Sequence, residues 1–286
     1  MQIPILSSTW NEHSIVDSGG ARKLERFGKQ LLIRPEPKAW WKPAFPDAWT
    51  KADAEFLDDG RWKLRDPALP RAWNMRWGKL TLQAKLTDMS KHVGVFPEQD
   101  PHWRWMTEKL EGADKSTRVL NLFGYTGVAT LAAAAAGCSV THVDASKPSL
   151  GWARQNQELS KLTEAPIRWI LEDALKYVTR EIRRESRYDG ILLDPPSFGR
   201  GPNGEIWKVE VQLTELLELC RQLLSDKPRF VLMTLYNLEA SSLMLNNLMS
   251  DVFKRHGGTV ESGELALTHE KSTRLLPLSL YGKWSV

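Results

Sequence analysis

Cysteine is scarce in this 286-residue chain: only Cys138 and Cys220 occur. Two distant cysteines exclude a disulfide framework and a cysteine-rich zinc site, and fit a reducing compartment. No run of about 18 apolar residues exists, so no membrane-spanning helix is expected. The start MQIPILSSTWNEHS has no basic stretch followed by an apolar one, which argues against a secretory signal and for a cytoplasmic location. His92, His102 and His142 share no metal-ligand spacing, and no metal is expected. Internal repeats and low-complexity tracts are also missing. What remains, 42% hydrophobic and 26% charged, is the composition of one large globular domain or two small ones.

The net charge of +4 is unevenly spread. Residues 1–92 carry 16 Lys+Arg against 11 Asp+Glu, whereas 93–286 carry 23 against 24. Nine of the 13 tryptophans fall before residue 106: Trp10, Trp40, Trp41, Trp49, Trp62, Trp73, Trp77, Trp103 and Trp105. Basic and aromatic residues together contact phosphates and stack on bases. The alternative is that the tryptophans build the core of a small β-domain and the lysines solvate it.

Up to about residue 91 the chain reads as short apolar-polar alternations broken by Gly, Pro and Asp, such as 30–34 and 79–86. The stretch 35–46, with four prolines and Trp40-Trp41, reads as a connection. We therefore expect a small, mostly β domain over 1–92. After residue 93 strands alternate with helices, the signature of parallel βαβ units, at 117–122, 139–143, 167–171, 189–193, 229–235, 259–266 and 278–285. The alanine-rich 129–136 closes on Gly137, and Ser146-Lys147-Pro148 looks like an N-cap followed by a first-turn proline. These features predict an open doubly wound α/β sheet over 93–286.

Four successive strands end in residues suited to a ligand. The first runs into Phe123-Gly124-Tyr125-Thr126-Gly127 and a helix, where glycines allow close backbone approach and the helix N-terminus favours anions. The spacing is not the dinucleotide G-x-G-x-x-G, which disfavours nicotinamide and flavin. The second ends at Asp144, 17 residues after Gly127, placed to accept both hydroxyls of a ribose. The third ends at Asp173, which either accepts from an adenine amino group or caps the next helix. The fourth, Ile191-Leu192-Leu193, ends in Asp194-Pro195-Pro196-Ser197-Phe198. Two prolines stop a strand, but they leave a carboxylate where open α/β sheets bind ligands.

This order of glycine turn, ribose acid, adenine acid and DPP motif resembles the class I S-adenosylmethionine-dependent methyltransferases. The stretches NLFGYTG (121–127), VDASKPSLGWARQN (143–156), LLDPPSFGRG (192–201) and GVFPEQ (94–99) resemble the bacterial RlmI/RlmK-type RNA methyltransferases, over about residues 90–286. The resemblance implies a Rossmann-like seven-stranded sheet and methyl transfer from S-adenosyl-L-methionine to RNA, here 23S ribosomal RNA. It implies cofactor contacts from Phe96, Gln99, Asn121, Phe123, Gly124, Tyr125, Thr126, Gly127, Asp144, Ala145, Ser146, Asp173, Ala174 and Asp194. The substrate side then falls to Asp194, Pro195, Pro196 and Phe198, with Arg200 and Lys208 for phosphates. Some relatives methylate cytosine C5 through a cysteine after the fifth strand; here that place reads Met233-Thr234-Leu235-Tyr236-Asn237. Cys220 lies on the apolar stripe Val209, Leu213, Leu216, Cys220, Leu223, and Cys138 opens the second strand, away from the strands' carboxyl ends. A base nitrogen is therefore the expected acceptor. The alternatives are a protein or small-molecule methyltransferase on the same fold, or a non-catalytic RNA-binding protein.

Overall fold

The computed structural model describes residues 3–236 and 238–286; Asn237 lies outside the described residues. The chain divides into two units. The first is Leu6–Pro101 together with Leu265–Leu278, and the second is His102–Glu264 with Ser279–Val286 and the segment up to Ile5. This differs from a single break after residue 92, for identifiable reasons. Asp100 accepts from Thr9 N–H at 2.9 Å and Trp77 Nε1 at 2.7 Å, which ties the chain up to Pro101 into the first unit. Leu267, Leu276 and Leu278 share a buried cluster with Ile15 and Ala39.

The first unit is β-rich. Strands His13–Gly19, Arg22–Phe27, Gln30–Pro35, Ala54–Phe56 and Trp62–Leu64 form a five-stranded sheet in that order, and Ala72–Trp77 pairs with Leu80–Lys85. The first hairpin turns through Gly20 and Ala21, both near φ +60°, a two-residue turn whose twist matches the strands it joins. The tryptophans mostly serve the fold. Trp10, Trp62 and Trp103 are buried and Trp41, Trp49, Trp73, Trp77 and Trp105 half-buried, with indole N–H groups of Trp10, Trp49 and Trp62 donating to Arg76 O, Asp17 Oδ2 and Thr87 O. Only Trp40 is exposed, at 89%. An ion cluster is buried in the same unit: Arg34 grips both oxygens of the fully buried Glu25 at 2.7 and 2.9 Å, with His13 at 3.2 Å and Lys23 at 3.5 Å from Oε1. The alternating pattern of Arg22–Phe27 gives no sign of so many charges turned inward.

The second unit carries most of the expected sheet, residues 265–268 and 275–278 of its last two strands counting with the first unit. Its strands are β1 (Arg118–Leu122), β2 (Ser139–Asp144), β3 (Ile167–Leu171), β4 (Gly190–Leu193), β5 (Phe230–Tyr236), β6 (Thr259–Thr268) and β7 (Leu275–Ser285). The order is Ile5–Ser7, β6, β7, β5, β4, β1, β2, β3, so a short edge strand joins the seven expected. Strands β1 to β5 run parallel and β7 antiparallel to β5. The chain leaves β1 outward to β2 and β3, then returns to lay β4 on the other side of β1. That reversal opens a crevice at the carboxyl ends of β1 and β4, the usual ligand position in such sheets. Helices α1 (Val128–Ala135), α2 (Lys147–Leu159), α3 (Ala174–Arg183), α4 (Val209–Gln222) and α5 (Ser242–Phe253) connect or follow the strands. Helix α1 stops at Gly137, φ +102°, and α2 starts at Ser146, whose Oγ accepts from Ser149 N–H.

Candidate active site

The turn after β1 is strained. Phe123 and Tyr125 have φ of +58° and +50°, and Gly127 has +84°. Bulky residues in the left-handed region are uncommon and cost of order 1–3 kcal/mol each, and such strain gathers at functional sites. The turn is held by Gly124 N–H donating to Val143 O at 3.1 Å and Gly127 N–H to Gly124 O at 3.0 Å. Gly124 also has a packing reason, because a Cβ there would stand 2.4 Å from the His142 ring. His142 is fully buried on β2, within 2.9 Å of Thr130 Oγ1, which also accepts from Asn121 Nδ2 at 2.9 Å. Burial pushes the His142 pKa down to about 3, so the ring is neutral. This buried set under the turn was not singled out from sequence; a histidine between Thr141 and Val143 in the strand is its only mark.

Asp144 ends β2 half-buried, and its two oxygens receive one backbone N–H each: Tyr125 to Oδ2 and Ser146 to Oδ1, both at 2.8 Å. Burial raises its carboxyl pKa, with those two hydrogen bonds opposing. Each oxygen keeps a lone pair for a further donor, the arrangement a vicinal diol fits. Asp173 caps α3, Oδ1 accepting from Lys176 N–H at 3.0 Å, so the capping reading is correct, and Oδ2 takes no part in that bond. Asn121 and Thr126 are 3% and 1% exposed, and the Asn121 amide is committed to Thr130. Their side chains therefore face the interior, which leaves their backbone for any ligand contact; the same holds for buried Ala174. Ala145 and Ser146 follow Asp144, half-buried, in the β2–α2 turn. Phe96 and Gln99 lie in the first unit, where Gln99 closes a short 3₁₀ turn that Phe96 precedes.

The β4 end stands beside β1: Leu193 pairs with Leu122, and Asp194 N–H reaches Leu122 O at 3.4 Å. Asp194 is half-buried, Pro195 buried, Pro196 exposed. The chain then makes a small hairpin that was not expected, Phe198–Arg200 against Ile206–Lys208. Its pairs alternate faces. Gly199 and Trp207 face inward, with Trp207 Nε1 donating to Pro196 O at 2.7 Å and its ring 5.1 Å from Phe123. Phe198 with Lys208 and Arg200 with Ile206 form the exposed face, an aromatic and two cations together. Lys176 on α3 pairs with Glu205 near the hairpin tip and holds that carboxyl down at about 2.

Neither cysteine carries reactive character. Both are fully buried, burial pushing Cys138 up to about 11 and Cys220 higher still. Among the described residues no three His, Cys, Asp or Glu side chains gather as metal ligands, and no helix is long and apolar enough to cross a membrane.

A reversing parallel sheet with acids at the ends of β2, β3 and β4 and a strained turn after β1 defines a Rossmann-like group-transfer site for a nucleoside-containing cofactor. The S-adenosylmethionine-dependent methyltransferase family matches residues 62–225, more than half the chain, and this chain belongs to that family. A solved S-adenosylmethionine-dependent methyltransferase from Agrobacterium tumefaciens is 45% identical, with a TM-score of 0.95 over 99% of this chain and 94% of that one. A chain described as a methyltransferase and crystallised with S-adenosylhomocysteine shares the fold, at 19% identity and a TM-score of 0.77 over 97% and 76% of the two chains. The ribosomal RNA large subunit methyltransferase K/L of Syntrophotalea carbinolica is 35% identical over 134 residues, 46% of this chain and 18% of that protein. The same-named protein of Aeromonas salmonicida is 34% identical over 146 residues, 48% and 20%. The match thus spans about a fifth of those curated relatives.

Proposed function

We propose that this methyltransferase acts on a base nitrogen of RNA, with large-subunit ribosomal RNA as the substrate and the cytoplasm as its location. Asp194-Pro195 beside the β1 turn carries the reading, and the names of the K/L relatives support the substrate. In this reading Asp144 accepts the ribose hydroxyls of S-adenosylmethionine and Asp173 Oδ2 the adenine amino group. The backbone of 121–127, 145–146 and 174 completes the cofactor contacts within this unit. When bound, the cofactor supplies an electrophilic methyl sulfonium.

The chain's own residues orient the acceptor. Asp194 and the Pro195 carbonyl accept hydrogen bonds from the N–H groups of a base, turning its nitrogen lone pair along the line of transfer, and orientation of this kind supplies much of the rate. The nitrogen gains the methyl group and loses a proton, which Asp194 is placed to take. Trp207 fixes the turn by holding the Pro196 carbonyl, and exposed Phe198 offers a stacking face to a base drawn out of its helix. Arg200 and Lys208 on the same face meet the flanking phosphates. Covalent C5 chemistry needs an accessible thiolate, and both thiols are buried.

Mass spectrometry of ribosomal RNA nucleosides from cells with and without the gene tests this. One N-methylated base should disappear with the gene. An unchanged set of nucleosides, or loss of a C5-methylated pyrimidine, would sink it.

A further inference from the structure

Trp40 lies in the first unit on a backbone that is anything but loose. On one side of it, Ala39 is fully buried and its carbonyl accepts from Ala21 N–H at 2.9 Å. On the other, the Trp41 carbonyl accepts from Gly20 N–H at 2.7 Å and the Trp41 indole donates to Ser18 O at 2.8 Å. Fully buried Asp17 then holds the next residues, taking Phe45 N–H at 2.8 Å and Ala44 N–H at 3.2 Å. The chain runs so close to Gly19 that a Cβ there would stand 2.4 Å from Pro43 N. Between these anchors the Trp40 side chain is 89% exposed.

A single exposed apolar side chain is ordinary; its setting is not. The turn between β6 and β7 brings two cations against the same segment, the Arg274 guanidinium 5.3 Å from the Trp41 ring centroid and Lys271 Nζ 5.9 Å from that of Phe45. Lys42 is exposed next to Trp41. The nearest acid on the turn, Glu270, is neutralised by Arg26 and accepts from Ser14 Oγ at 2.8 Å. Of the nine tryptophans before residue 106 this is the only exposed one, and it adjoins Trp41, whose ring carries Arg274. An exposed indole on an anchored segment that also carries cations matches a single strand of nucleic acid, whose bases stack and whose phosphates pair.

We propose that Trp40, Lys42, Lys271 and Arg274 form a docking surface for single-stranded RNA, separate from the residues that face the methyl group. It rests on the reading of RNA as substrate. The base stacks on Trp40 and the neighbouring phosphates lie against the three cations. The rigid loop means that little ordering entropy is lost on binding.

Fluorescence anisotropy with a labelled 20-nucleotide single-stranded RNA of mixed sequence, on the full chain, tests the surface. Trp40→Ala should weaken binding about tenfold, and Trp40→Phe should recover most of it, because stacking tolerates any aromatic ring. Lys271→Glu with Arg274→Glu should weaken binding and lower the slope of log affinity against log salt by at least about 1.4. Calorimetric affinity for S-adenosylhomocysteine should stay at the wild-type value in every variant. Wild-type RNA affinity in Trp40→Ala and in the charge-reversed variant would overturn this surface while leaving RNA as substrate intact. No RNA binding by the wild type would overturn both.

Discussion

Asp194 is one carboxylate among many, and the role proposed for it rests on position. It follows the last residue of β4, level with the end of β1, and the two prolines after it take the chain out of the sheet. Asp194→Ala should leave the fold nearly unchanged and, at saturating cofactor, slow single-turnover methyl transfer by about 2–4 kcal/mol, the scale of losing one positioned polar group. The Cys138→Ser, Cys220→Ser double variant should keep transfer, provided the buried hydroxyls are tolerated. A folded, cofactor-binding but inactive cysteine variant, or full activity in Asp194→Ala, would reverse the assignment. For the cysteines, the sequence alone was enough to read a structural place. Cys220 falls on an apolar helical stripe and Cys138 at the amino end of its strand, and both are fully buried.

Among elements, the β1–α1 turn and the end of β2 act as one piece, because Asp144 Oδ2 takes the Tyr125 N–H across the crevice floor. Asp144→Ala should therefore weaken cofactor binding by about 1–3 kcal/mol in calorimetry. It should also lower thermal stability, since the Tyr125 and Ser146 N–H groups lose their acceptor and Tyr125 already sits at positive φ. An intact affinity in a folded variant would remove Asp144 from the cofactor site. Strands β1 to β5 were legible to within about a residue, because parallel strands read as short apolar runs bounded by Gly, Asp and Pro, whereas β6 ends after the expected 266 and β7 begins before the expected 278. The hairpin of 198–208 was not: its strands have three residues each, two of the three exposed in each, so no periodicity marks them. The role of Gly124 was legible only in part. A glycine there suggests ligand approach, but its need is already set by the His142 ring, a contact between residues 18 positions apart in sequence.

For the molecule as a whole, the charge count separated a basic first third from a neutral remainder, yet the units do not follow one cut, since long-range packing returns Leu265–Leu278 to the first. The same packing stores a dependence on pH that composition hides. His102 and His142 in the second unit are fully buried, and burial lowers both to about 3, helped at His102 by the positive charge of Lys283. Their unfolded value is 6.5. A base whose folded pKa is depressed stays neutral in the fold and takes its proton on unfolding. Its contribution is complete above pH 6.5 and is lost as pH falls from there toward 3, at up to about 1.4 kcal/mol per pH unit for each ring. Glu25 in the first unit is held well below its usual range, with Arg34 and Lys23 overcoming the burial that opposes them, so its contribution is present above pH 4.5 and is lost only in stronger acid. Asp144 works the other way: its raised pKa makes protonation easier in the fold and offsets part of the acid loss. Because ordinary carboxylates hardly titrate between pH 6.5 and 5, a fall in stability there belongs to the histidines. Thermal denaturation from pH 8 to pH 4 should give a flat midpoint above about pH 7 and a decline that starts near 6.5, before ordinary carboxylates are protonated. His142→Gln should reduce the steepness of that decline even if it lowers the midpoint at neutral pH. A midpoint unchanged down to pH 5 in the wild type would mean that these rings accept protons inside the fold.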